Sequence, residues 1–277
     1  MVIVQLTNGF GNNLFQYIAA KMLALYHGKE LIVLPPSKDY YGISELHKIN
    51  IDVVPTAPPA VSMTRVVDLN YHTFFNKEVS NLDFFVSGYF ENYNYYKNNI
   101  PTIKSWFPEI KEKNETDLVL HFRGGDRLLY SNEFDSKPSA QSFANAIEQF
   151  DFENLHVVTD MPNWSHVTKE DVESMNFHVH VPEDARVSAQ QSADYFNSIV
   201  DALAKFSPQL EKRTVAEDFT FIRGFKNILF QHGTLSWWAA ILSEADKVGV
   251  YGPWRPWKGD SNKNLSNVNI EGWFKWE

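Results

Sequence analysis

Short apolar runs alternate with amphipathic helical stretches along most of this sequence, and that alternation leaves few folds open. The chain begins with "VIVQL", passes through "TNGFGNN" into "LFQYIAAKMLALYHGKE", and returns to an apolar run at "LIVL". Strand, glycine loop, helix and strand in that order make a βαβ unit, in which the helix carries the chain back so that the two strands lie parallel. The second half repeats the pattern. It reads as strand "DLVLHF", helix "SAQSFANAIEQF", strand "NLHVVTD", a short strand "FHVHV", helices "SADYFNSIVDALAKF" and "EDFTFIRGF", strand "NILFQ", helix "LSWWAAILS" and strand "KVGVYGP". Strands alternating with helices imply parallel sheets covered on both faces. Residues 35–105, between the halves, are rich in Pro, Asn and Tyr and read as loops and short helices around one strand at "FFVSGYF".

A charged, apolar-poor run, "PEIKEKNETD" from Pro108 to Asp117, separates the two patterns. It sets the expected boundary between an N-terminal domain over 1–112 and a C-terminal domain over 113–277, with roughly the last 15 residues packing back on the first. The chain's 277 residues suffice for two modest domains, each with its own core. The expected class is therefore α/β, as paired Rossmann-like domains with parallel sheets and a cleft between them. In such folds ligands sit at the carboxyl ends of the strands.

Composition removes several functions. No window reaches the ~18 uninterrupted apolar residues of a membrane span, and "MVIVQLTNGFG" lacks the basic start and long apolar centre of a signal peptide. The expected location is cytoplasmic, with peripheral membrane association left open. With no cysteine there is no disulfide, thiolate catalysis or cysteine zinc site. A net charge of -9 argues against a nucleic-acid partner, so any bound anion must be held by a local cluster. The sequons at Asn114, Asn163 and Asn264 read as chance matches.

Three loops fall where a parallel sheet binds ligands. In "TNGFGNNLFQY", Gly9 and Gly11 permit a tight turn, while Asn12 and Asn13 place amide donors at a helix start that already favours negative charge. Leu14 stands where a dinucleotide fingerprint has its third glycine, which disfavours a nicotinamide-dependent dehydrogenase; a plain structural turn is the alternative. In "LVLHFRGGDRLLY", His121, Arg123, Asp126 and Arg127 gather around Gly124 and Gly125 at the end of an apolar strand. Arg offers a planar fork of donors suited to phosphate oxygens, so an anion site competes with a turn in which Arg123 and Asp126 neutralise each other. In "FQHGTLSWWAAIL", Thr234, Leu235 and Ser236 open a helix whose exposed amides could cradle an anion, unless they are ordinary caps. Trp237 and Trp238 read as core anchors. His178 and His180 alternate on a strand while His156 and His166 are isolated, so no metal set is expected, and no G-x-S-x-G elbow or P-loop is present.

"GFGNNLFQY", "HFRGGD" and "HGTLSWWAAIL", with "VVTDMPNW" between the last two, resemble in collinear order the motifs of the GDP-fucose-dependent α-1,2-fucosyltransferases of glycosyltransferase family 11. The resemblance runs from Met1 to about Trp257. It implies a GT-B architecture of two facing Rossmann-like domains, with the acceptor mostly on the first and the nucleotide sugar on the second. It also implies inverting transfer of L-fucose from GDP-fucose to a galactose-type hydroxyl of a glycan, with no metal or other cofactor. Carried over by position, Arg123 clasps the β-phosphate, His121 lies against the nucleotide, and Thr234, Leu235 and Ser236 hold the diphosphate. Asp218, sixteen residues before Thr234, is the candidate for guanine, whose N1 and N2 protons a carboxylate can accept; Asp160 is the alternative. Gly11, Asn12 and Asn13 position fucose or acceptor.

The general base is open. Asp126 lies in the right loop but is equally placed to orient Arg123 or the fucose, with Glu133 and Asp135 in reserve. The family's second arginine is Gly124 here, and Arg127 is a candidate replacement from three residues on; the family's serine is Gly233. Other readings are a transferase for a different GDP-sugar and a non-catalytic relative that binds nucleotide or glycan.

Overall fold

A computed structural model describes residues 1–7, 9–36, 42–56, 62–130, 137–175, 183–252 and 268–277. The chain divides into two compact units. The first takes in Met1–Glu109, Thr214–Ala216 and the described part of Trp254–Glu271; the second takes in Ile110–Arg213, Glu217–Pro253 and Gly272–Glu277. Each is built on an all-parallel sheet, the α/β class that the alternation predicts.

The first unit carries four strands, β1 (Val2–Gln5), β2 (Leu31–Leu34), β3 (Thr64–Val66) and β4 (Phe84–Val86), in the order β2-β1-β4-β3. Helix α1 (Phe10–His27) makes the first crossover. It starts earlier than the sequence suggests, because Phe10 and Leu14 are both buried one turn apart, so Gly11, Asn12 and Asn13 belong to its first turn and not to a loop ahead of it. It stops at Gly28, whose left-handed φ of 63° lets the chain turn back into β2.

The second unit carries six strands, β5 (Asn114–Phe122), β6 (Leu155–Thr159), β7 (Gln209–Leu210), β8 (Phe225–Phe230), β9 (Lys247–Tyr251) and β10 (Phe274–Trp276), in the order β10-β9-β8-β5-β6-β7. The expected strand "FHVHV", with His178 and His180, lies outside the described residues. Of the last residues, which the sequence sends toward the first domain, the described ones up to Glu271 do fall in the first unit, whereas Gly272–Glu277 belongs to the second: Phe274–Trp276 pairs with β9 and buries Trp276 against Phe143 and Tyr251. None of the described helices is long and apolar enough to cross a membrane.

Side chains alternate along β5. Leu118, Leu120 and Phe122 enter a core with Phe143 and Ile147 of the helix Ala140–Ile147 and Phe196 and Ile199 of the helix Ala189–Leu203. The opposite face carries Asp117, Val119 and His121, an apolar residue between two polar ones. At the amino end, the buried Asp117 carboxylate accepts from the Asn114 side chain (2.7 Å) and from the Asn154 side chain (3.0 Å) and N–H (3.1 Å). His156 Nε2 lies 2.9 Å from the same carboxylate, its ring held edgewise against Phe221 and Phe225. Burial alone would raise the Asp117 pKa, but the hydrogen bonds from Asn114, His156 and Asn154 outweigh it and hold the carboxyl below its usual range.

This network predicts that Asp117→Ala destabilises the protein by about 3 kcal/mol, because it strands several buried donors. The sign with pH follows from the lowered folded value. The stabilisation is complete above the ordinary carboxylate pKa of ~3.9 and disappears as pH falls through the folded one. Urea titrations of wild type and variant from neutral to acid pH check both points, and equal stability at neutral pH would contradict them.

Candidate functional site

Strand order in the second sheet reverses at β5. The chain proceeds from β5 to β6 and β7 on one side, then crosses to place β8, β9 and β10 on the other. Connections leaving the carboxyl ends of β5 and β8 therefore depart in opposite directions, and the gap between them is where open parallel sheets bind ligands. Two of the three singled-out loops leave from this place: "RGGDRL" follows β5 and "QHGTLS" follows β8, with His121 in register with Phe230.

His121 is buried, and its Nδ1 is hydrogen-bonded to the Ser236 hydroxyl, itself fully buried in the first turn of the helix Thr234–Leu242. Burial, helped by the nearby Arg123 charge, lowers the imidazole pKa from 6.5 to about 3, so the ring is neutral at working pH. The helix is capped by Gly233, which has no side chain to satisfy the leading amides. Ser236 is thus not a cap: its hydroxyl serves His121. A Cβ at Gly233 would lie 3.4 Å from Ser236 Oγ and 3.7 Å from His121 Cε1, ordinary van der Waals contact with both. Trp237 and Trp238 are core anchors, as expected, fully buried with ring centroids 4.9 Å apart at 90°.

Arg123 pairs across the sheet edge. Its Nη1 meets Asp160 Oδ2, and the other Asp160 oxygen accepts the Gly124 N–H at 2.8 Å. Asp160, the residue after β6, therefore sits under the glycine turn with both carboxylate oxygens engaged. Gly125 has a φ of +46°, and a side chain there would run into the Asp160 carboxylate. The turn continues as a single 3-10 turn, Gly125–Leu128, with Arg127 N–H on Gly124 O (3.0 Å) and the buried Leu128 as its anchor. Asp126 lies in this turn; its side chain, and Glu133 and Asp135 entirely, fall outside the described residues.

Two participants carry no signal in the sequence. Gln231, immediately after β8, is 7% exposed, and its Oε1 accepts the Arg123 N–H at 3.2 Å. Met161, 5% exposed, fills the space beside Gly124: a Cβ there would lie 2.7 Å from both Met161 Cγ and Sδ. Gly124 is thus sterically matched to Met161, which takes the room where a longer side chain would begin.

Asp218 lies half-buried in the first turn of the helix Val215–Ile222. That helix leads into β8, so its first turn lies toward the carboxyl edge that holds Arg123 and Thr234. Gly11, Asn12 and Asn13 belong to the first unit, where Asn13 is fully buried, Asn12 is half-buried, and the Asn13 N–H meets Gly9 O at 3.1 Å. The cluster at β5 and β8 is made by second-unit residues.

No protein-family model and no curated protein matches the sequence. Among solved structures, the chain is similar to the bacterial iron-containing dodecameric glycosyltransferase TibC from enterotoxigenic E. coli H10407, at 9% identity and a TM-score of 0.38, covering 90% of this chain. This chain spans 57% of the length of that one. It is also similar to the NodZ alpha-1,6-fucosyltransferase soaked with GDP-fucose, at 10% identity and a TM-score of 0.37, covering 87% of this chain and 92% of that one.

Gly124→Arg alone should lose about 1–3 kcal/mol to overpacking, and Met161→Ala in the same chain should recover part of it; strictly additive losses in urea unfolding would refute the pairing. For His121, the unfolded chain binds more protons than the folded one between the folded pKa of about 3 and the ordinary 6.5. Stability therefore falls as pH is lowered through that window, with a slope of up to about 1.4 kcal/mol per pH unit from this group. A His121→Phe variant should show a flatter profile, and an unchanged slope would contradict the assignment.

Proposed function

We propose that this protein is an inverting glycosyltransferase that moves L-fucose from GDP-fucose to a galactose-type hydroxyl of a glycan, forming an α-1,2 linkage. The observation that carries this reading is the gathering of Arg123, neutral His121 and the Thr234–Ser236 helix start at one sheet crevice. The collinear motif resemblance supplies the donor and the acceptor class. Gly11, Asn12 and Asn13 are assigned to positioning fucose or acceptor, as the motif resemblance implies.

The chemistry asks for stabilisation of a departing diphosphate. Fixed cationic and dipolar groups aimed at the growing charge can supply several kcal/mol without reorganising. A guanidinium has five N–H groups, and Asp160 engages Nη1, so one fork can hold the carboxylate and a phosphate together. Amides at the Thr234 helix start add donors along the helix dipole. His121, neutral and tied to Ser236, contributes at most one N–H and no charge. Asp218 is assigned to guanine, Arg127 to partial replacement of the missing arginine, and Asp126 to the acceptor proton. No metal is assigned a role.

A second reading keeps the fold and changes the donor to another GDP-sugar. It is favoured by Gly124, where the second guanidinium is absent and Met161 occupies the space.

A thermal-shift screen against GDP, UDP, ADP and NAD tests the nucleotide, since a ligand that binds the folded state raises its melting temperature. A shift with GDP is expected; a shift with NAD and none with GDP would overturn the reading. GDP release from GDP-fucose and other GDP-sugars, over a panel of galactosides, then tests transfer and separates the two donors. Arg123→Ala should lose at least about tenfold in activity, from a phosphate contact of roughly 1.5–3 kcal/mol. Near-normal turnover in that variant would remove Arg123 from the mechanism.

A further inference from the structure

We infer that Gln231 is a diphosphate-binding residue, whose side-chain amide supplies neutral donors where the missing second arginine leaves a gap. The inference rests on the nucleotide-sugar reading above and adds a residue that neither the motifs nor the resemblance marks.

Gln231 is the first residue beyond β8, at the strand-order reversal. Its side-chain oxygen accepts the N–H of Arg123, the first residue beyond β5. The carboxamide therefore spans the mouth of the crevice between the two strand ends. That bond fixes which end of the amide is which, because a backbone N–H requires an acceptor and the nitrogen must occupy the other position. The side chain is 7% exposed, yet its Nε2 has no hydrogen-bond partner among the described residues and is not sealed in the core. A buried carboxamide normally has both ends satisfied. One satisfied end beside Arg123, on the loop that leads into the helix Thr234–Leu242, is the arrangement expected when the remaining partner is a ligand.

The chemistry selects an anion. Nε2 carries two N–H donors and no acceptor; its carboxamide is bonded through Oε1 to Arg123, whose guanidinium engages Asp160, and Gln231 stands two residues before Gly233, the residue that begins the helix Thr234–Leu242. A phosphate oxygen presents several lone pairs and a negative charge to such a set, whereas a hydroxyl of the sugar presents fewer lone pairs and no charge. Gly124 removes one guanidinium from the turn, and Met161 closes its space. Gln231 reaches Arg123, the residue before Gly124, from β8, with donors but no charge.

The test uses the full chain labelled with 15N in glutamine side chains, the Gln231 amide pair being assigned by its loss in Gln231→Leu. Addition of GDP, and separately of pyrophosphate, should shift that pair, while guanosine should leave it in place. Calorimetry should show GDP affinity about tenfold weaker in Gln231→Leu, with partial recovery in Gln231→Lys, which restores a donor to the anion but no acceptor for the Arg123 N–H. If Gln231 only braced the Arg123 backbone, Lys would bind as weakly as Leu and the amide pair would not respond to pyrophosphate; either result overturns the inference. An amide pair that stays fixed while other resonances report GDP saturation overturns it as well. Absence of any GDP binding by the wild-type protein would instead overturn the nucleotide-sugar reading beneath it.

Discussion

Strand β5 is paired on both edges and buried from Asp117 to its end, so each polar group it carries must be satisfied where it stands. It carries two such side chains, Asp117 and His121, on one face and at opposite ends. The Asp117 end is closed by Asn114, Asn154 and His156 into a network that consumes its own hydrogen-bonding capacity. The His121 end meets Ser236 and then gives way to two loops that diverge. One strand thus anchors the sheet at its amino edge and opens a crevice at its carboxyl edge.

That crevice is notable for how little net charge it uses. The whole chain carries -9, so a nucleotide gains nothing from long-range attraction. Arg123 is balanced by Asp160, and His121 is held neutral by burial. What the edge offers is orientation: a guanidinium held by Asp160, a carboxamide fixed by a backbone N–H, and helix amides behind Gly233. Preorganised donors of this kind need not rearrange as charge develops, which is the property a departing diphosphate exploits.

Much of the fold is legible in the sequence because long elements carry strong periodicity. The strands at Val2–Gln5, Asn114–Phe122 and Phe225–Phe230, and the helix Ala189–Leu203, follow from their apolar spacing. The misses are short or charged. Strands β3, β7 and β10 span two or three residues, too few for alternation to register, and the helix Lys169–Ser174 buries only Val172. At the site, Arg123, His121 and Ser236 stand out because polar residues at the end of an apolar strand or the start of a helix invite explanation. Gln231 does not, since it reads as the last letter of the strand "NILFQ". Nor does the Arg123–Asp160 pair, which joins residues 37 apart that only the β5–β6 pairing makes neighbours. Met161 is equally silent, because its role is to fill the space that Gly124 leaves.

The most direct test of the account is a crystal structure of the protein grown with GDP. The diphosphate should lie across the carboxyl ends of β5 and β8, against Arg123 and the Thr234 helix start, with guanine toward Asp218. GDP seated elsewhere, with Arg123 still turned only to Asp160 and the β5–β8 crevice unoccupied, would contradict the account at its centre.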